Sequence, residues 1–574
     1  MALTRPVLTR REVGLGGMAA AALTGAAAAD RPYGPSFQGR STVYAPRAMA
    51  ATSQPLATAI ALDLLRQGGS AVDAAIGANA ALGLMEPVGS GVGGDLFALI
   101  WDPQEARLHG LNASGPAPRD RSLADLTGHL GGASQIPPVG TACVTVPGAV
   151  DGWLKAHARF GKLALSDVLA PAIHYAREGF PVSPIIAGDW ALNLRLLGEV
   201  RGLIEEYDNT LATWSIDGRA PRAGERFANP DLADTYAAIA EGGREAFYEG
   251  AIAERLAAYM TRIGGPLTAA DMAQYQAQWV EPISVPYRNL EVCQIPPNSQ
   301  GLTVLQMLRI LDGYDLASMG EADRIHVMVE AKKLAFGDRA RHIADPAFHD
   351  APLEMLLSPE YAARQRARIA MDAAGPATPE PLRDGDTIYL SVADADGMMV
   401  SWIQSNYRGM GSGLTPDGLG FMLQNRGAQF SLDPAHANVY APGKRPFHTI
   451  IPGFALKDGA PWLSFGVMGG SMQPQGHVQV VSNLIDREMS LQAAGDAPRW
   501  RHDGGHDADG SVSPSSELLV ETGIAPDLRA ALSDRGHVVR VEAANYGGYQ
   551  AVARTPSGWA GASEKRKDGM ASGF

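Results

Sequence analysis

The chain has 574 residues, 46% of them hydrophobic and 19% charged, which is ample for one very large or two ordinary cores and excludes a disordered chain. A formal net charge of -13 disfavours nucleic acid and anionic membrane surfaces, which need concentrated Lys and Arg, and leaves a small molecule or peptide as the expected partner. Two cysteines, Cys143 and Cys293, are too few for a disulfide framework or a thiolate metal cluster, so two buried thiols are expected.

In chain order, the first segment differs from everything after it. Arg10-Arg11 precede an apolar, alanine-rich run through Leu23 and then small residues up to Asp30, the order of an export signal with a twin-arginine flavour over residues 1–29. The run is too short to span a bilayer and no later stretch is long enough, which predicts a soluble protein, periplasmic or secreted, with no membrane association after signal removal. From about Ala57 to Leu84 the apolar spacing predicts two helices with a turn at Gly68-Gly69. The loop GSGVGG at Gly89–Gly94 then leads into a strand over Leu96–Trp101, and TACVTVPGAVDGW reads as a second strand-like segment. Long helical stretches follow from Leu163 to about Ile263, over Leu302–Leu311 and over His326–Phe336. Beyond the Pro- and Ala-rich patch MDAAGPATPEPLRDGD the texture turns to alternating β-type runs, TIYLSVADADGMMVSWIQSNY, RPFHTIIPGFAL and PWLSFGVMGG, with a helix over HVQVVSNLIDREMSLQAAG. This shift places a boundary just before Thr387, and the whole pattern predicts a layered α/β or α+β architecture with sheets between helices.

Thr387 opens a strand directly after an acidic, glycine-containing linker, at an element edge. A threonine hydroxyl is a poor nucleophile without a base beside it, and a threonine at a chain terminus carries its own base in the α-amino group. With a reference pKa of roughly 7.7 to 8, that amine is partly neutral at working pH and can accept the hydroxyl proton. On these grounds alone Thr387 reads as a plain β-former, and Gly469-Gly470 as an ordinary tight turn. The loop GSGVGG precedes a strand, whereas the dinucleotide fingerprint follows one and opens a helix, so nucleotide binding is not expected. His448 and His477 have no metal-site spacing and are assigned hydrogen-bonding roles, with substrate contact open for His448.

The segments DTIYLSVADADGMMVSWIQSNYRGMGSG, GFMLQNRGAQF, GKRPFHTIIPG and GVMGGSMQPQGHVQVVSNLID resemble the small-subunit motifs of the γ-glutamyltransferase family. The resemblance continues upstream through EPVGSGVGG, PGAVDGW, EPISVPYRNLEV, PPNSQG and VEAKKLAFGDR and ends at GASEKRKDG, from about Tyr44 to the carboxyl terminus. It implies an N-terminal-nucleophile hydrolase, an α+β protein folded as a four-layer αββα sandwich. A large segment, 30–386, and a small one, 387–574, would be two subunits cut from one precursor by autocleavage at Asp386–Thr387 and interleaved in one catalytic fold. Thr387 matches the family's nucleophile, Ser405 the hydroxyl residue packed near it, and Gly469-Gly470 the glycines whose N–H groups form the oxyanion hole. Base, nucleophile and oxyanion hole all come from the chain, so no metal or organic cofactor is expected.

The residues that would grip a free glutamate head group depart from the family pattern. Ser114, in ASGPAP, stands where well-known members carry a carboxylate-clamping Arg, and Gln429 where they carry an Asp that holds the α-amino group. Tyr407 replaces an Asn, and His448-Thr449 replace paired serines. Arg426 is also new relative to those members, and it and Arg408 are the candidate anion partners, each with a solvent-facing salt bridge as the plain alternative. The pattern resembles the divergent branch of cephalosporin and glutaryl acylases and oxamate amidohydrolases, which implies cleavage of an amide with a carboxylate-bearing acyl group through an acyl-Thr387 intermediate. Two alternatives stay open: a true γ-glutamyltransferase or glutathione hydrolase, and an unprocessed binding protein or pseudo-enzyme that kept the fold.

Overall fold

The computed structural model describes residues 35–376, 386–504, 509 and 516–574. The expected export signal and residues 377–385 of the linker lie outside them. The paired helices are present as Pro55–Arg66 and Ala71–Met85. Ser70 caps the second reciprocally with Asp73, its hydroxyl accepting from Asp73 N while the Asp73 carboxylate accepts from Ser70 N. One strand expectation is corrected. Thr141–Cys143 is a single 3-10 turn, Val144 to Gly148 makes no ladder, and Ala149–Phe160 is a helix. Val146 N donates instead to Pro116 O at 3.0 Å, and Gly148 N and Ala149 N converge on Gly94 O, so tertiary partners take the bonds a strand would have used.

Two seven-stranded sheets lie at the centre. The first orders strands Met570–Gly573, Met49–Thr52, Asp386–Ala393, Met399–Tyr407, Asp95–Asp102, Arg107–Ala113 and Gln278–Val280. The second orders Val43–Ala45, Gly558–Ser563, Tyr549–Thr555, Ala460–Val467, Gly453–Lys457, Leu290–Gln294 and Ile283–Tyr287. Each sheet draws strands from both sides of Thr387.

Strand periodicity assigns the faces. In the first sheet Phe97, Leu99, Tyr389 and Ile403 point inward, with Phe454 and Val552 of the second sheet, into a core between the two. Their neighbours Leu96, Ala98, Ile388, Leu390 and Trp402 point outward into the helices Pro55–Arg66, Ala71–Met85, Leu165–Glu178 and Pro230–Tyr248. On the far side Val292, Phe465 and Ala551 meet the helices Gly301–Leu311, Glu321–His342 and Met472–Ile485. The result is the four-layer αββα sandwich, with helices outside and two sheets within. Both cysteines are buried free thiols, their pKa values pushed up by burial. Among the described residues no helix is long and apolar enough to cross a membrane.

Candidate active site

Thr387 sits at the start of strand Asp386–Ala393, where pairing with Met399–Tyr407 is irregular: Asp386 faces Tyr407 and Ile388 faces Gln404. Ser405 and Asn406 together therefore oppose Thr387, a bulge that re-aims the side chains at the strand end. Thr387 is 3% exposed, and its hydroxyl donates to Ser405 Oγ at 3.3 Å. Ser405 Oγ also accepts from Tyr407 N at 2.8 Å, which pins the serine rotamer toward the threonine. Tyr407 holds φ +85°, a left-handed backbone that Asn adopts more readily than Tyr, so the replacement keeps a strained corner beside the nucleophile.

The GSGVGG loop, which sequence reasoning left without a role, supports Thr387 from below. A Cβ on Gly89 would stand 3.1 Å from Thr387 C and 3.2 Å from Thr387 N, so glycine lets the loop lie against the Thr387 backbone without crowding it. One on Gly93 would fall 1.9 Å from Met422 O. The glycines serve close backbone packing.

Gly469 and Gly470, at φ +107° and +54°, join strand Ala460–Val467 to helix Met472–Ile485. Their carbonyls accept from Met472 N at 2.8 Å and Gln473 N at 3.2 Å, while neither glycine N–H has a hydrogen-bond partner among the described residues. Two donors at a helix N-terminus are thereby available for an oxyanion. Thr387 and Gly469 share a cavity of about 290 Å³ walled by Asp189, Asn545, Tyr546 and Lys567 from distant segments. Lys567 Nζ lies 3.5 Å from Asp189 Oδ2 and 3.9 Å from Glu86 Oε1. None of these wall residues was singled out from sequence, although GASEKRKDG contains Lys567.

The remaining site residues lie outside that lining, buried except for the half-buried Arg408. Arg426 is fully buried, its guanidinium 4.5 Å from the Tyr407 ring centroid, and its Nη1 donates to Thr449 Oγ1 at 2.8 Å. Its Nε and Nη2 have no partner among the described residues, and burial pulls its pKa down to about 10, opposed by Asp95 and Tyr407. A salt bridge at the surface is therefore not the role of Arg426. Gln429 Nε2 donates to Tyr407 OH and its Oε1 has no partner among the described residues. His448 Nε2 meets Asp95 Oδ2 at 3.0 Å, and burial, reinforced by Arg426, drives the imidazole well below its ordinary value. Burial raises Asp95 to about 7 against the opposing Arg426 charge and hydrogen bonds from Gln424, Gly115 and Gly148. Ser114 donates to Asn112 Oδ1 at 2.7 Å in a knot with Asn298. Arg408 is tied at its backbone, its N donating to Asn425 Oδ1 and its O accepting from Asn425 Nδ2. His477 lies in the core against Phe465.

Two carboxylate and imidazole clusters among the described residues have the composition of a metal site. In one, Lys333 Nζ and Gly375 N donate to the two oxygens of Glu330, while His326 bonds His537 and Ala370 O. In the other Arg159 reaches both Glu105 and His109. Protein donors already engage both clusters, and neither contacts Thr387.

The family model described as Gamma-glutamyltranspeptidase matches residues 57–574. The chain is 39% identical to the glutathione hydrolase-like YwrD proenzyme of Bacillus subtilis over 83% of its length and 88% of that protein's. It is 37% identical to the oxamate amidohydrolase proenzyme of Klebsiella pneumoniae, covering 92% and 98%. A solved cephalosporin acylase from Bacillus halodurans superposes with a TM-score of 0.87 at 43% identity, over 95% of this chain and 98% of that one. With that architecture and a threonine opening the strand beside a hydroxyl and a glycine pair, the chain belongs to the γ-glutamyltranspeptidase family of N-terminal-nucleophile enzymes.

Proposed function

We propose that this protein is a self-cleaving amidohydrolase acting on amides whose acyl group ends in a carboxylate, with Thr387 as nucleophile. The observation that carries the reading is the Thr387 hydroxyl, buried 3.3 Å from Ser405 Oγ, with Gly469 on the same cavity. In maturation Thr387 Oγ adds to the Asp386 carbonyl, the peptide bond to Thr387 N breaks, and water hydrolyses the resulting ester. The products are a carboxylate at Asp386 and an amine at Thr387. In turnover that amine takes the hydroxyl proton, Oγ attacks the substrate carbonyl, and the Gly469 and Gly470 N–H groups receive the oxyanion. The leaving amine departs protonated, and water releases the acid from Oγ.

Asp386 is thus the first acyl group that Thr387 carries, and its backbone lies opposite Tyr407, whose ring stacks on Arg426. The two unpartnered donors of that guanidinium then pair with the substrate carboxylate, offsetting the cost of a buried, undersaturated cation. Tyr407, Gln429, His448 and Thr449 shape this subsite, in which neither Ser114 nor Gln429 supplies the charge a zwitterionic glutamyl group needs.

The names of the relatives support hydrolysis of such amides, and one of them keeps glutathione hydrolysis as the second reading. Export to the periplasm or medium follows from the first 29 residues. The test is a panel of γ-glutamyl anilide, glutathione, glutaryl amides and oxamate, with Thr387→Ala as the blank. Preference for glutaryl amides or oxamate is expected. Efficient glutathione turnover would overturn the reading of Ser114 and Gln429, and a fully active Thr387→Ala protein would overturn the nucleophile.

A further inference from the structure

The motifs PPNSQG and VEAKKLAFGDR take no part in the chemistry above, yet each sends one buried side chain toward the glycine pair. We infer that Gln300 and Arg339 form a brace that aims the Gly470 N–H, making them positioning residues for the reaction at Thr387. The inference rests on the assignment of Gly469 and Gly470 as oxyanion donors.

The geometry is specific. Gln300 is fully buried at the start of helix Gly301–Leu311, and its backbone N donates to His448 O at 3.0 Å. Its Nε2 donates to Thr449 O at 2.5 Å and to Gly470 O at 3.0 Å, bridging the chain that carries Arg426's partner to the glycine turn. Its Oε1 accepts from Arg339 Nη1 at 3.0 Å. A guanidinium can only donate, so Arg339 dictates which way the Gln300 amide faces and commits both amide hydrogens to the two carbonyls. Arg339 Nη1 also reaches Ser471 Oγ at 3.0 Å, and the guanidinium is held 4.0 Å from the Phe336 ring centroid.

The consequence for Gly470 follows from peptide planarity. Met472 N fixes the Gly469 carbonyl and, in the same peptide plane, the Gly470 N–H, while Gln473 N with Gln300 Nε2 fixes the Gly470 carbonyl, so the plane on the far side of Gly470 is held and cannot turn the N–H away. Its N–H then has one direction, although glycine at φ +54° otherwise has wide freedom. The buried Arg339 charge behind the amino end of helix Met472–Ile485 adds to the positive potential there. Neither side chain lines the cavity, so the brace acts on the rate of the chemical step and not on substrate binding.

The test is steady-state hydrolysis of glutaryl anilide by Gln300→Met, together with the time course of precursor cleavage and thermal unfolding of both proteins. One well-placed oxyanion donor is worth on the order of 10²–10³ in kcat, so misaiming it is expected to lower kcat about tenfold to hundredfold. KM should stay within about twofold, and cleavage should slow by a similar factor. Arg339→Lys, which keeps the charge and one donor, should retain several-fold more kcat than Arg339→Met. Wild-type kcat in Gln300→Met, or a raised KM at unchanged kcat, overturns the brace. Should Gln300→Met fail to fold, Gln300→Asn, which keeps the amide but cannot span both carbonyls, is read against the same thresholds. Residual turnover in Thr387→Ala would instead condemn the nucleophile, whereas an inactive Thr387→Ala beside an unimpaired Gln300→Met condemns the brace alone.

Discussion

Replacing Gly89 by alanine adds one methyl group directly against the backbone of the proposed nucleophile. Its Cβ would lie 3.1, 3.2 and 3.3 Å from Thr387 C, N and O, closer than ordinary van der Waals contact to three backbone atoms at once. Gly89 does not have a positive φ, so alanine suits the loop itself and the whole effect falls on Thr387. Relief requires Thr387 to move by a few tenths of an ångström, and overpacking of this kind costs about 1–3 kcal/mol. Since a 1 Å misplacement of reacting groups costs on the order of 10²-fold in rate, a shift of this size is expected to cost about tenfold. The Thr387 nitrogen that the methyl crowds is also the base in the proposed mechanism, so self-cleavage and turnover should both slow. Gly89 does not line the cavity, and KM should hold. The assay is the electrophoretic time course of precursor cleavage alongside kcat and KM for glutaryl anilide. A Gly89→Ala protein that cleaves and turns over within twofold of wild type would refute the placement of the loop beneath the nucleophile.

Arg426→Met should lower kcat/KM for carboxylate-bearing acyl amides by on the order of 10² or more, because two charge-assisted hydrogen bonds at about 1.5–3 kcal/mol each are lost; a substrate series lacking the carboxylate should respond far less. Gly93→Ala would set a methyl 1.9 Å from Met422 O, and soluble expression should report loss of folded protein, not a selective loss of nucleotide affinity. Burial, with Arg499 adding, pushes the His477 imidazole down to about 3 from its ordinary 6.5. Between those values the unfolded chain binds a proton that the folded one refuses, so stability falls as pH drops below about 6.5, by about 1.4 kcal/mol per unit for this group. Urea unfolding at pH 7 and pH 5 should therefore show His477→Leu losing about 2 kcal/mol less than wild type on acidification.

The central residues of the candidate site could be singled out in the sequence because each sits in a local motif. A threonine opening a strand after an acidic linker, and two glycines between a strand and a helix, are visible in neighbouring residues, the family motifs suggest their role, and the structure places Thr387 and Gly469 on one cavity. The helix pair around Gly68-Gly69 was legible for the same reason, since Ser70 and Asp73 cap within one turn. What sequence could not give depends on approach in space. The contact between Gly89 and Thr387 joins residues nearly 300 positions apart, and the cavity wall assembles Asp189, Asn545 and Lys567 from three separate segments. The misread strand-like segment TACVTVPGAVDGW opens with the right β-branched residues, but Pro116 O and Gly94 O draw its backbone into a loop and a helix start. Arg426 was singled out by its novelty, while its burial and its two unpaired donors, which turn a surface cation into a candidate carboxylate ligand, appear only once Tyr407 and Thr449 are packed around it.

The most direct measurement is the intact mass and amino-terminal sequence of the purified, active protein. A smaller chain of roughly 20 kDa beginning with Thr387, beside one of roughly 38 kDa, is the predicted result. Full activity in material whose Thr387 nitrogen is still bonded to Asp386 would contradict it.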